Sequence, residues 1–79
     1  MAKETDIKEV YRFDMHHRLT NHPPESSEVE EKMDAATEMH IKMAEFIIET
    51  VPHSRELDVA LQKLEEMSMF VKAGIARNQ

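Results

Sequence analysis

The sequence predicts an all-α protein, a short N-terminal helix followed by a long antiparallel two-helix hairpin. Three observations carry this. The 79 residues include one glycine, seven methionines and almost no β-branched run, a composition that favours helix over strand. Apolar residues return every three or four positions along both later segments. Proline stands only at Pro23–Pro24 and Pro52, so two breaks separate three helical stretches.

The first stretch, within residues 1–17, places Ile7, Val10, Tyr11 and Met15 at helical spacing over 4–16, with Thr5 or Asp6 as cap. Residues 18–26, beginning "RLTNHPP", read as a connector. Pro23 drives His22 out of the helical region, and two fixed φ angles stiffen the segment. Ser26 or Ser27 opens the next helix, 27–51, because a hydroxyl cap precedes the acidic run "EVEE" at the positive end of the helix dipole. Its apolar seam reads Val29, Met33, Ala36, His40, Met43, Ile47 and Val51, widened by Ala44, Phe46 and Ile48. Pro52 ends it, and Ser54 caps a last helix over 54–78. There the seam is Leu57, Ala60, Leu61, Leu64, Met67, Val71, Gly74 and Ile75, with Arg77 in the last turn.

Two long helices of about 24 residues each span about 36 Å. A connection this short makes them antiparallel, so the end of the second lies beside the start of the first. Residues 75–78 are therefore expected near 22–28. A hairpin alone cannot bury both apolar stripes, and a chain of this length without disulfides gains core by association. A second copy is the simplest cover, and a homo-oligomer is expected.

The chain has no cysteine, so it has no disulfide and no thiol nucleophile. Its net charge of −6 argues against binding DNA or RNA polymers, which need basic surface. No run approaches the roughly 18 apolar residues of a membrane span, and "MAKETDIKEV" carries no apolar signal region. A cytoplasmic protein with no membrane partner is expected.

Arg18, His22 and Arg77 would form a cationic cluster, with Thr20 and Asn21 adding hydrogen-bonding groups. Guanidinium forks beside a helix N-terminus suit a phosphate or nucleotide. Arg77 reads equally as a cation at a helix C-terminus, and His22 as a solvated loop residue. The five histidines form no His-x-x-x-His or Glu-x-x-His pair, so no metal and no cofactor is expected. Tyr11 or Phe13 could stack on a base, though helix packing explains them as well. The methionines read as core filling or as an adaptable partner surface. Ser54, His53 and Glu56 are neighbours without triad geometry, and nothing in the chain requires catalysis.

"RLTNHPP", "VPHSRELDVALQKLEE" and the ending "AGIARNQ" together resemble the helical-hairpin sponge proteins of bacteriophages, the anti-CBASS cyclic-oligonucleotide sponges and the related Thoeris anti-defence sponges. The resemblance covers about residues 18–78. It implies a homo-hexamer of helical hairpins that sequesters cyclic dinucleotides and, at separate pockets, cyclic trinucleotides, without cleaving them, inside the infected cell. It implies ligand-binding roles for Leu19, Asn21, His22 and Arg77, and with Arg18 of the cationic cluster and Thr37 these complete the candidate ligand-binding residues. Arg77 matches an arginine that contacts phosphates of the trinucleotide around a threefold arrangement; Leu19 and His22 match positions bordering that pocket. Asn21 stands where the family has a base-stacking tyrosine. Thr37 lies in the region, 36–38, where the family's first long helix has a basic residue. These departures favour cyclic trinucleotides over dinucleotides. The alternative is a helical oligomer that uses its Met-rich face to bind a host protein.

Overall fold

The computed structural model describes residues 4–20 and 26–78, with side chains described from Ile7 onward. Every element in it is helical: α1 spans Glu4–Thr20, α2 Ser27–Thr50 and α3 Arg55–Arg77. Hydrogen bonds and ion pairs between helices set the register. Arg12 pairs with Glu49 and the Leu19 carbonyl meets Thr37, so α1 and α2 run antiparallel. His40 meets Ser68, so α2 and α3 do too. Tyr11 meets Asp58 and Arg18 meets Glu65, which makes α1 and α3 parallel. The result is a rod of 47 × 18 × 16 Å.

The caps follow from local chemistry. The Ser26 hydroxyl accepts from the Val29 N–H at 3.4 Å, and the Ser54 hydroxyl from the Leu57 N–H at 3.2 Å. Glu28 and Glu30 lie in the first turn of α2, and Glu56 and Asp58 in that of α3, at the positive dipole ends. At the other end of α2, the Val51 N–H bonds back to the Ile47 carbonyl before Pro52 turns the chain.

The N-terminal helix is longer than its spacing suggested. It continues through His17, Arg18, Leu19 and Thr20, because nothing before Pro23 disfavours helix and Leu19 extends the stripe from Tyr11 and Met15 by one more turn. Three positions assigned to the connector are thus helical. Asn21, His22, Pro23 and Pro24 lie outside the described residues.

The apolar core sits toward the α2–α3 turn. Met15, Leu19, Ala44, Ile48, Leu57, Leu61 and Leu64 form it, with Tyr11, Ile41, Ile47 and Val51 packed at its edge. Full burial of one such large side chain is worth about 1.5–3 kcal/mol. Next to it lies a buried polar layer, Thr37, His40, Ser68 and Lys72, and beyond that layer Val29 and Met33 are buried as well.

The seams are therefore rotated from the ones read in the sequence. On α2 the buried set is Val29, Met33, Thr37, His40, Ala44 and Ile48; on α3 it is Leu57, Leu61, Leu64, Ser68 and Lys72. α1 covers one flank of the hairpin and pulls the buried arc toward itself. Met39, Met43 and Phe46 of α2, with Met67, Phe70 and Val71 of α3, are left exposed. At 100° per residue Met39, Met43, Met67 and Val71 fall on the flank away from α1.

Candidate functional site

One end of the rod is made by the N-terminus of α2 and the C-terminus of α3; α1 stops short of it, because Leu19 lies level with Thr37, ten residues or about 15 Å along α2. Arg18, paired with Glu65, stands twelve residues or about 18 Å along α3 from Arg77, so the two arginines expected to form one cationic cluster are held apart.

Arg18, in the last turn of α1, is engaged inside the protein. Its Nε donates to Glu65 Oε2 at 3.0 Å and its Nη2 to Glu65 Oε1 at 2.7 Å, a bidentate pair joining α1 to α3. Nη1 donates to Asp14 Oδ2 at 3.1 Å, one turn back on the same helix. The pairing with Glu65 pushes the guanidinium pKa further up and holds the Glu65 carboxyl below its usual value. The fork that would grip a phosphate grips carboxylates here.

Leu19 is 0% exposed and belongs to the core. Its carbonyl is the functional part. The Thr37 hydroxyl donates to it over a long 3.5 Å, and the Lys72 ammonium donates to it from α3. Thr37 is itself buried, so its hydroxyl faces α1 and not an open pocket. The structure thus brings Arg18, Leu19 and Thr37 together as the seating of α1 on the hairpin.

Arg77 is exposed in the last turn of α3, and no hydrogen bond or ion pair joins it to another described residue. It lies five residues beyond Lys72, about 7.5 Å further along the helix axis, past the level of the Leu19 carbonyl. Nearby, the Asn78 amide donates to the Gly74 carbonyl at 2.9 Å and closes the helix end. Asn21 and His22, the remaining two candidates, lie outside the described residues.

Tyr11, considered above as a base-stacking group, is held at the opposite end. Its hydroxyl donates to Asp58 Oδ1 at 2.5 Å, and its ring meets that of His53 edge-on at a centroid distance of 5.7 Å. The bond to Asp58 raises the phenol pKa to about 12.

Sequence reasoning took His40 only as a seam residue of α2, and missed its polar role and those of three more groups. His40 Nδ1 and Ser68 Oγ are 2.8 Å apart in the buried layer. Burial lowers the His40 pKa, and the charge of Lys72 lowers it further. Burial also lowers the Lys72 pKa, against the opposing pull of Asp34. Glu65 is the fourth. The available signal was positional. Ser68 and Lys72 continue the Leu57–Leu61–Leu64 spacing by steps of four, and a lysine in that register sits on the inner face.

A groove of about 390 Å³ lies between α1 and α2, lined in part by Arg12, His16, His17 and Glu45. Among the described residues no group of three or more His, Cys, Asp or Glu could hold a metal ion, and no helix is long and apolar enough to cross a membrane.

The family model for the Acb2/Tad1 hairpin domain matches residues 14–76. No curated protein and no solved structure matches the chain. The matched span begins inside α1, at the residue that pairs with Arg18, and ends one residue before Arg77.

Proposed function

The chain belongs to the Acb2/Tad1 hairpin-domain family, and on that premise we propose that it is a phage anti-defence sponge, which binds and sequesters cyclic oligonucleotide immune signals in the cytoplasm of an infected cell. Cyclic trinucleotides are its preferred ligands, ahead of cyclic dinucleotides. It releases them unaltered, as the sponge character of its family implies. The match over 14–76 carries the reading. It is supported by Arg77, a cation whose charge no described side chain neutralises.

The site we assign centres on Arg77 with Asn21 and His22. Arg18, Leu19 and Thr37 act from beneath by seating the last turn of α1. One copy supplies too little positive charge for three phosphates. Association of several copies, a hexamer in the family pattern, would pool Arg77 around a threefold axis. There a ring of phosphates would relieve the mutual repulsion, each charge-assisted contact being worth about 1.5–3 kcal/mol. The bare flank with Met39, Met43, Met67 and Val71 is the surface such association would cover.

Calorimetric titration with cyclic tri- and dinucleotides tests this directly. Heat with a cyclic trinucleotide, lost in Arg77→Ala, is expected. Ligand recovered after heat denaturation should run unchanged on chromatography. No binding to any member of the panel at micromolar protein would overturn the proposal.

The same exposed methionines, with Phe46 and Phe70, support a second reading as a module that docks a host protein. On that reading Arg77→Ala leaves function intact, while charged substitutions at Met67 or Phe70 abolish it.

A further inference from the structure

A helix pairs each carbonyl with the N–H four residues on. For Leu19 that residue is Pro23, which has no N–H. The Leu19 carbonyl is thus an orphan by sequence, and it lies in a residue that is 0% exposed. Left without a donor, such a group costs about 1–3 kcal/mol. Two donors from two other helices reach it: the Lys72 ammonium from α3 and the Thr37 hydroxyl from α2.

Lys72 is 7% exposed. Burying an ammonium is costly, and an apolar chain of the same length would be cheaper to pack there. Its head group does something that packing alone does not ask for. It is a cation at the negative end of α1, brought from another helix, and it donates to a buried carbonyl that Pro23 leaves open, as Pro24 does that of Thr20.

We propose that Lys72, assisted by Thr37, is a positioning residue for ligand binding: a cap supplied across the bundle that fixes where α1 stops relative to the last turn of α3 and Arg77. This rests on the sponge reading above. Lys72 itself touches no ligand. It acts by holding the end of α1 in register, so that Thr20 stands at one fixed level below Arg77.

The test compares wild type with Lys72→Met, which keeps the length and removes the donor. Cyclic tri-AMP is titrated by calorimetry, and amide exchange is followed at residues 17–20. The expected result is about tenfold weaker binding, the size of one net hydrogen bond, with faster exchange at 17–20 and a folded, equally assembled protein. Unchanged affinity in the folded variant would overturn the inference. So would weaker binding with unaltered exchange at 17–20, which would make Lys72 a direct contact. Should Lys72→Met not fold, Thr37→Val decides: a loss of about threefold is expected from removing the weaker donor, and no loss overturns the inference. If wild type itself binds neither cyclic tri-AMP nor the rest of the panel, the sponge reading fails, and this role with it.

Discussion

Truncating Leu19 to alanine separates a packing role from a ligand-lining one. The side chain is 0% exposed and sits with Met15, Ala44 and Ile48 in the core cluster. Leu→Ala in a core costs about 2–5 kcal/mol, depending on how far the surroundings collapse into the space. This bundle is only 18 × 16 Å across, and Leu19 is in the last described turn but one residue of α1, so its neighbours relax readily. Alanine's slightly better helix propensity offsets a few tenths. We therefore expect about 2–3 kcal/mol. A domain of this size shifts by about 4–8 °C per kcal/mol, giving a fall of about 8–24 °C in Tm. Circular dichroism melts at one fixed protein concentration measure it, since association would make Tm concentration-dependent. A fall below about 4 °C would refute the placement of Leu19 in the core.

Three further expectations rest on named contacts. His40 has its pKa lowered by burial and by Lys72, so the unfolded chain takes up a proton that the folded chain refuses. Stability should decline as pH falls below about 6.5 toward the folded value, and His40→Gln should flatten that stretch of a denaturant-derived stability profile. Tyr11 should titrate near 12 by ultraviolet absorbance, and Asp58→Asn should bring it back toward 10. Glu65→Gln breaks the bidentate pair with Arg18 and should cost about 0.5–1.5 kcal/mol in urea melts, with less effect at high salt.

The all-helical class and the hairpin were legible because their signals are local. Pro52 with Ser54 marks a turn and a cap, and Ser26 before an acidic run marks a helix start. The face each helix buries was less legible, because it depends on the partner. Met43 and Met67 are apolar yet point away from α1, whereas Thr37, Ser68 and Lys72 are polar yet lie in the arc between helices. A reading that equates apolar with buried rotates both seams toward the methionines. Arg18 shows the same limit at the candidate site. Its chemistry suits phosphate, but its place one helical face from Glu65 follows only from the parallel packing of α1 on α3. Arg77 differs because it lies at the last turn of α3, where no described carboxylate faces it.

That difference bears on why one chain is a poor anion trap. The end that carries Arg77 sets the C-terminus of α3 against the N-terminus of α2, and Glu28 and Glu30 occupy the first turn of that N-terminus. Of the cations below it, Arg18 is neutralised by Glu65 and Asp14, and Lys72 is buried against the end of α1. Only Arg77 among these offers an uncompensated charge to solvent, on a chain whose net charge is −6. A multiply charged ligand meeting this end of an isolated protomer would gain one guanidinium contact and face surrounding negative potential. Proposed binding and proposed assembly are for this reason one hypothesis and not two. The cation count at the site scales with the number of chain ends brought together, and the flank that would bring them together is the one α1 leaves uncovered.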